Sequence, residues 1–312
     1  MITESSLQIS RLLSLMVQTS RFASGSVNRA LNEFGTTWDM DFSALLTNFY
    51  ATDADLQNAL KGYSAFVMDS MRRQKRFELE RCYPVKSYAE ASTEVYLNDD
   101  YMRRQYLPGL LLSHYLWPHH YRQIEYFKAL YLPWLLQQNV AEFAEVGVGT
   151  GIYSRLALQF LPQLRGIGID ISPLSLEFSA THVNSFGFSD RYSTLKQNVI
   201  EKPLGMRFRA VFCVELLEHL EDPTALLISL KALCAKDGKL FVTAALNAAH
   251  DDHIYLYRNP QEVLDQVDAA GLDLEHYFLA NAYIPTNFGV PVPSALAMVL
   301  TPRNWQPCQQ PR

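Results

Sequence analysis

Apolar side chains recur every three or four residues through the first part of the chain, which is the spacing that places them on one face of a helix. Four segments show this pattern: residues 7–22, 42–50, 54–73 and 101–116. Pro118 can begin a further helix over residues 118–138, because the first turn of a helix lacks amide hydrogen bonds in any case. Polar residues 35–39 and 98–100 are predicted to be connections. Residues 1–137 are therefore predicted to form a helical region.

From residue 138 onward, short apolar runs alternate with helical patterns. Strands are predicted at residues 140–146, 166–170, 192–197, 210–214 and 239–244, with a closing pair at 273–279 and 295–300. Helices are predicted at residues 153–161, 174–186, 223–235 and 260–270. This alternation is typical of an α/β fold in which helices cover both faces of a mostly parallel sheet. We expect a seven-stranded sheet domain in residues 138–303, a helical cap in residues 1–137 and a flexible tail in residues 304–312.

Composition and charge restrict the class of protein. Hydrophobic residues make up 48% of the 312 residues and charged residues 19%, as in globular proteins. The formal net charge of -5 offers a nucleic acid no electrostatic attraction. The N-terminus lacks the pattern of a secretory signal, no stretch reaches the ~20 apolar residues of a membrane span, and the cysteines have no metal or disulfide spacing. We expect a cytoplasmic protein with neither a nucleic-acid nor a membrane partner.

A glycine-rich segment directly follows the first predicted strand. Gly147, Gly149 and Gly151 would let the backbone turn sharply and approach a ligand closely. The helix that begins behind them offers free amides to a carboxylate. Asp170 ends the second predicted strand, where its carboxylate can accept hydrogen bonds from both ribose hydroxyls of a nucleoside. The sequence therefore predicts a nucleoside-containing ligand.

A dinucleotide is the alternative ligand for such a loop. Its fingerprint, G-x-G-x-x-G, needs a third glycine at position 152, where this chain has Ile152. The spacing G-x-G-x-G preceded by Glu145 instead resembles motif I of the class I S-adenosylmethionine (SAM)-dependent methyltransferases. The resemblance implies a Rossmann-like fold, SAM as the cofactor and a place for Glu145 in the cofactor site.

Further motifs extend this resemblance over residues 138–300. Asp170 and Ile171 resemble the family's ribose-binding strand end, and Asn198 and Val199 fall where an Asp or Asn reaches the adenine amino group. Asn198 replaces the commoner Asp, but its carbonyl can still accept the hydrogen bond. The resemblance thus implies these four residues as cofactor contacts.

The segment from residue 212 to residue 220 is similar to the family's fourth strand with its E-x-L-E-H continuation, although Arg209 stands where an acid is frequent. Residues 237–240 match the turn into strand five. By this resemblance Glu215 contacts the amino end of SAM or the substrate, and Glu218 and His219 support the loop.

Catalytic residues are harder to predict, because methyl transfer mainly needs alignment and requires a base only when the acceptor loses a proton. His250 and His253 follow the fifth strand at the carboxyl edge of the sheet, with Asp251 and Asp252 placed to orient them. They could be acid/base residues or substrate contacts. The same histidines could instead be metal ligands, or the loop could be structural. The leading interpretation places no metal in the site.

The helical region adds candidates for the substrate side of the cleft. His119, His120 and Tyr115 could line it, and Tyr121 is a third candidate for catalysis. Aromatic faces near a sulfonium are stabilising through cation–π attraction. An aromatic stripe at helical spacing is also what a plain hydrophobic core produces, so both interpretations stay open.

Three functions are compatible with these motifs. The first is a SAM-dependent methyltransferase, a transferase that acts on a small-molecule acceptor such as a secondary metabolite, with an oxygen, nitrogen or carbon nucleophile. The second is a SAM-consuming cyclase of the azetidine-2-carboxylate synthase type, which needs SAM alone and releases methylthioadenosine. The third is a non-catalytic SAM-fold subunit, which the intact glycines and Asp170 disfavour.

Overall fold

A seven-stranded sheet forms the centre of the protein. The structure is a computed structural model and describes residues 4–84, 86–284 and 289–303. The strands are β1 Glu142–Val146, β2 Arg165–Asp170, β3 Tyr192–Lys196, β4 Phe208–Cys213, β5 Cys234–Leu246, β6 Leu272–Asn281 and β7 Ser294–Pro302. Their order is β3-β2-β1-β4-β5-β7-β6; β1 to β5 are parallel, and β7 is antiparallel to both of its neighbours. The predicted Rossmann-like α/β fold with a mostly parallel sheet is confirmed.

The region before the sheet is helical, as its apolar spacing predicts. Its helices are α1 Glu4–Thr19, α2 Ser24–Asn48, α3 Asp53–Glu80, α4 Tyr88–Ala91, α5 Asp99–Tyr101, α6 Leu107–Leu116, α7 Pro118–Tyr126 and α8 Leu132–Gln137. π-Helical segments lie at Ser92–Tyr96, Met102–Tyr106 and Phe127–Tyr131, and a 3₁₀ turn lies at Arg21–Ala23. The connection predicted at residues 35–39 is wrong, because these residues belong to α2, where Gly35 at φ +63° makes a kink.

Four helices follow the strands of the sheet: α9 Ile152–Phe160, α10 Pro173–Ser185, α11 Pro223–Leu233 and α12 Pro260–Ala269. The last three each begin with a proline. The side chains of Ser172, Asp222 and Asn259 precede these prolines, and each accepts a hydrogen bond from a backbone N–H of the first turn. These local signals explain why the predicted helix starts lie close to the observed ones.

The turn predicted at residues 237–238 is also wrong. β5 already begins at Cys234, and Gly238 lies within it at an irregular part of the pairing with β4. A Cβ atom at position 238 would approach the carbonyl oxygen of Arg209 to 2.6 Å. Close contact between two backbones, rather than a turn, therefore explains this glycine.

Two hydrophobic cores cover the two faces of the sheet. On one face, the ring of Phe127 lies 5.2 Å from Phe212 of β4 and 4.9 Å from Phe241 of β5. On the other face, α11 packs Leu226 and Leu230 into the second core. The N-terminal helices and the sheet share the first core, so the cap region is packed against the sheet over an extended apolar surface.

Among the described residues, no helix is both long and apolar enough to cross a membrane. Within the same ranges, Cys82, Cys213 and Cys234 are free thiols. The tail predicted at residues 304–312 lies outside the described residues.

Candidate active site

The glycine loop connects β1 to α9 in a backbone conformation that side chains disfavour. Gly147, Gly149 and Gly151 have φ values of +69°, +48° and +70°. A Cβ atom at position 147 would lie 2.6 Å from Leu216, and one at position 151 would lie 2.9 Å from the Cβ of Ser179. Both glycines are therefore required by packing as well as by conformation.

Asp170 joins the end of β2 to this loop. Its Oδ2 accepts a hydrogen bond from the backbone N–H of Gly149 at 3.2 Å, and its Oδ1 accepts one from Ser172 at 2.9 Å. Burial raises the pKa of Asp170, although these amide donors oppose the shift. Asp170 and Ile171 both line the main cavity, where the carboxylate can accept further hydrogen bonds from a ligand.

Glu145 lies below the loop and contacts the start of α9. Its Oε2 accepts hydrogen bonds from the backbone N–H and the hydroxyl of Ser154, at 2.9 and 2.5 Å. Burial raises the pKa of Glu145 to about 8. Glu145 therefore binds the N-terminus of α9 and positions the loop. It also forms part of the cavity lining.

The structure places Asn198 and Val199 away from the cavity lining. The side-chain oxygen of Asn198 accepts hydrogen bonds from the backbone N–H groups of Ile200 and Glu201, at 3.0 and 3.4 Å. Val199 is buried in the hydrophobic core. The carbonyl of Asn198 closes a local turn in this structure, and its contact with adenine stays a prediction.

Glu215 lies at the end of β4 in a strained conformation, with φ at +48°. Its Oε1 accepts hydrogen bonds from Gln123 of α7 at 3.0 Å and from Thr243 of β5 at 2.7 Å. Glu215 lines the cavity. The carboxylate therefore joins the cap to two strand ends, a tertiary contact that the sequence did not indicate.

One cavity of about 1410 Å³ extends from the glycine loop to the inner surface of the N-terminal helices. Pockets for one small ligand commonly measure about 300–1,000 Å³. The cavity lies at the carboxyl ends of the parallel strands, the usual ligand position in open α/β sheets. It has room for SAM and a second molecule.

Asp252 is the centre of a polar network in the cavity wall. This fully buried carboxylate accepts hydrogen bonds from the hydroxyls of Tyr96 at 3.0 Å and Tyr106 at 2.6 Å. Nδ1 of His250 lies 2.9 Å from its Oδ1, and Nδ1 of His219 lies 3.2 Å from its Oδ2. Burial opposes ionisation, but the charge of His219 and the hydrogen bonds from His219 and His250 hold the pKa of Asp252 well below its usual range.

Two adjacent histidines, His219 and His253, whose ring centroids lie 4.9 Å apart, differ in charge. Burial lowers the pKa of His253 to about 3, and its Nδ1 lies 2.6 Å from the carbonyl oxygen of Ala248. Burial also opposes the charge on His219, but attraction to Asp252 outweighs this and raises its pKa to about 9. Burial, followed by repulsion from Glu215, raises the pKa of Glu218 to about 8.

In the cap, His119 and His120 line the cavity, whereas Tyr115 and Tyr121 are outside its lining. Burial lowers the pKa of both histidines well below the ordinary value, so both are neutral. Tyr115 stacks on Phe42 at 4.6 Å.

Tyr121 is directed away from the cavity, because its hydroxyl donates to Asp41 at 2.9 Å. The catalytic role predicted for Tyr121 and the cap role predicted for Tyr115 are therefore not supported by their positions.

The fold and the site define a class of protein. A parallel sheet with a G-x-G-x-G loop after β1 and an acid at the end of β2 is the arrangement of class I SAM-dependent methyltransferases. A crystal structure from Nostoc punctiforme, described as a "putative O-methyltransferase", shares the fold with a TM-score of 0.51 and 14% identity, over 78% of this chain and 72% of that one.

Residues 144–240 match the family model described as a methyltransferase domain. This match supports the interpretation of residues 144–240 as a methyltransferase domain of the class I SAM-dependent type, and SAM is the cofactor of that family. The glycine loop and Asp170 fit SAM, because the left-handed glycines Gly147 and Gly149 and the carboxylate of Asp170 line one end of the cavity.

Curated relatives are similar over part of the chain. A ubiquinone biosynthesis O-methyltransferase from Actinobacillus pleuropneumoniae serotype 5b is 30% identical over 99 residues, which is 31% of this chain and 42% of that protein. One from Leptothrix cholodnii is 26% identical over 192 residues, which is 53% of this chain and 80% of that protein. The chain therefore spans less than half the length of the first of these relatives.

Proposed function

We propose that this protein transfers the methyl group of SAM to a hydroxyl oxygen of a small, largely planar organic acceptor. The observation that carries the proposal is the single cavity that joins the glycine loop and Asp170 to His250 and its buried partner Asp252. The names of the similar relatives support oxygen as the acceptor atom. Aromatic and histidine rings in the cap favour a planar acceptor, from central or secondary metabolism.

When bound, SAM supplies a methyl group on a sulfonium, which needs no further activation by the protein. The backbone of residues 147–151 and the carboxylate of Asp170 would hold its nucleoside half. The amino group of SAM is positively charged and requires an acidic partner. Glu215, at the end of β4, lines the cavity and would supply that carboxylate. The acceptor would then bind at the other end of the cavity.

His250 is the proposed general base. Its Nδ1 lies 2.9 Å from the ionised carboxylate of Asp252, so the Nδ1 hydrogen donates to that carboxylate and Nε2 keeps its lone pair. A neutral imidazole in this tautomer can accept the proton of an acceptor hydroxyl during methyl transfer. The buried Asp252 holds the ring in place and stabilises the imidazolium that forms.

The cap helices would limit the access of water to this chemistry. His119, His120 and Trp117 form part of the cavity wall, and the ring centroids of Trp117 and His119 lie 5.7 Å apart in a stacked arrangement. Neutral rings surround an acceptor without competing for its proton. A water-poor cavity also strengthens the interaction between His250 and Asp252.

Self-cyclisation of SAM receives no support from the comparisons, because the matched model and relatives are methyltransferases. A cavity larger than one ligand needs also favours a second substrate. A non-catalytic role would require an altered loop, whereas all three glycines and Asp170 are in place.

We propose that the partner is a small molecule and that neither nucleic acid nor membrane is bound. Free thiols at Cys82, Cys213 and Cys234 fit a reducing compartment, so the cytoplasm is the proposed location.

Incubation with SAM and a panel of phenols, catechols and aliphatic alcohols, followed by mass spectrometry, tests the proposal. We expect S-adenosylhomocysteine and a product heavier by one methylene group. The His250→Gln variant should lose about 10²–10⁴-fold in kcat and retain its SAM affinity. His276→Gln, at an exposed position on β6, is the matched control. Methylthioadenosine formed from SAM alone, or full activity of His250→Gln, would contradict the proposal.

A further inference from the structure

Glu218, His219 and His253 form a cluster in the cavity wall beside His250. One carboxylate oxygen and one ring nitrogen from each histidine lie within 4.8 Å of one another. Nε2 of His219 is 3.8 Å from Oε1 of Glu218. All three residues line the cavity, so the cluster can be reached by a ligand.

Packing does not explain Glu218. Its side chain is fully buried, and neither carboxylate oxygen has a hydrogen-bond partner among the described residues. A buried polar group without a partner costs roughly 2–7 kcal/mol, and an ionised one costs more. The ring of His219 lies 3.8 Å away, too far for a hydrogen bond. The two imidazoles beside Glu218 are of the commonest type of protein ligand for transition metals, and a metal ion would replace the proton on Nε2 of His219.

The other ring nitrogen of each histidine is already held. Nδ1 of His253 lies 2.6 Å from the carbonyl oxygen of Ala248, and because a carbonyl only accepts, Nδ1 carries the hydrogen and Nε2 has the free lone pair. Nδ1 of His219 lies 3.2 Å from the carboxylate of Asp252 and 2.9 Å from the Tyr96 oxygen. Histidines that bind metals are oriented in this way, with a carbonyl or carboxylate behind each ring.

We propose that Glu218, His219 and His253 bind a divalent transition-metal ion of the Zn²⁺ type, with a fourth position open to the cavity. Two imidazoles, a carboxylate and an open position form a known type of catalytic zinc site. A tetrahedral ion with bonds of about 2.1 Å separates its ligand atoms by about 3.4 Å. The observed separation of 3.8 Å is close to this value, and the widest separation, at most 4.8 Å, would have to shorten on binding through side-chain rotation.

The metal ion gives the proposed reaction a second means of activating the acceptor. In its open position it would bind the acceptor hydroxyl and lower the pKa of that hydroxyl, while His250 takes the released proton. This role rests on the proposed methyl transfer, whereas metal binding itself does not. The sequence had suggested His250 with His253 as an alternative metal pair, but the ring of His250 is oriented by Asp252 and the structure groups His253 with Glu218 and His219.

Metal content of the full chain tests the proposal without substrate or SAM. The protein is stripped with EDTA, incubated with Zn²⁺ or Co²⁺, desalted and analysed by elemental mass spectrometry. We expect about one ion per chain, and for Co²⁺ the visible absorption of a tetrahedral nitrogen- and oxygen-bound ion. Glu218→Gln and His253→Gln should each bind less than a tenth of this amount, and the His276→Gln control should bind the full amount.

The melting temperature with and without added metal distinguishes a folded variant that cannot bind metal from a variant that is misfolded. Glu218→Gln replaces a buried carboxyl group that has no hydrogen-bond partner among the described residues with an uncharged amide of the same size. The metal-free variant should therefore melt close to the wild-type temperature and gain nothing from added Zn²⁺. Wild-type protein should gain several degrees. A wild-type protein that retains no metal, or Glu218→Gln that binds as much as the control, would overturn the proposal. SAM titration of the same samples reports separately on the cofactor site.

Discussion

Replacing Asp252 with asparagine changes a buried carboxylate that serves four donors at once: Tyr96, Tyr106, His219 and His250. In the less costly orientation the amide oxygen faces the first three donors and the amide NH₂ faces His250. Each of the three hydrogen bonds then loses its ionised acceptor, at about 1 kcal/mol each, because bonds to charged groups contribute about 1.5–3 kcal/mol and neutral ones about 0.5–1.5. We therefore expect the free energy of unfolding to fall by about 3 kcal/mol.

The effect on catalysis should be larger than the effect on stability. An amide NH₂ facing Nδ1 of His250 stabilises the opposite tautomer, in which Nε2 carries the hydrogen and cannot accept a proton. We expect kcat to fall by about 10²–10⁴-fold, the usual contribution of a general base, with SAM affinity nearly unchanged.

Urea unfolding, steady-state kinetics and SAM titration of Asp252→Asn test both parts. Asp251→Asn is the matched control, since its carboxylate is on the same loop but pairs with Arg73 and Tyr101 instead. Hydrogen-bond energies predict a loss of ~3 kcal/mol. A free energy of unfolding within about 0.5 kcal/mol of wild type, together with an unchanged kcat, would refute the role of Asp252.

Three further predictions concern the cofactor end of the cavity. Asp170→Asn should weaken SAM binding about 10- to 100-fold in calorimetric titration, the value of one charged hydrogen bond, whereas Asp190→Asn on the surface should not change it. Gly151→Ala should destabilise the fold by about 1–3 kcal/mol, because of its φ of +70° and the 2.9 Å contact with Ser179; Gly205→Ala, in open space, should be near neutral. The pKa of Glu145 is raised from 4.5 to about 8, so the folded protein keeps a proton that the unfolded chain releases. The free energy of unfolding should therefore fall as the pH rises from 4.5 to about 8. Chemical denaturation of Glu145→Gln should show this decline reduced by up to about 1.4 kcal/mol per pH unit, and equal slopes would contradict the assignment.

Local sequence signals predicted the parts of the site that depend on local structure. The G-x-G-x-G spacing and Ile152 identified the loop between β1 and α9, and Asp170 was expected at the end of β2, where it lies. Proline and a capping side chain marked the helix starts. In each case the signal that identifies the feature lies within a short stretch of sequence.

Contacts between distant segments were not predictable in this way. Tyr121 and His120 are neighbours on one helix. His120 lines the cavity, whereas a hydrogen bond to Asp41 directs Tyr121 away from it. Gly238 looked like a turn because its close neighbour, Arg209, is distant in sequence. The grouping of Glu218 with His253 requires the loop after β5 to fold back on the end of β4, where Ile254 donates its N–H to the carbonyl oxygen of Glu218.

A crystal structure with S-adenosylhomocysteine and an acceptor analogue would show directly where the cofactor and the acceptor bind. We expect the adenosine beside the loop of residues 147–151, with its ribose hydroxyls on the carboxylate of Asp170. We also expect the sulfur to face the acceptor oxygen, and that oxygen to lie within hydrogen-bond distance of Nε2 of His250. An adenosine bound elsewhere, or an acceptor oxygen remote from both the sulfur and His250, would contradict this arrangement.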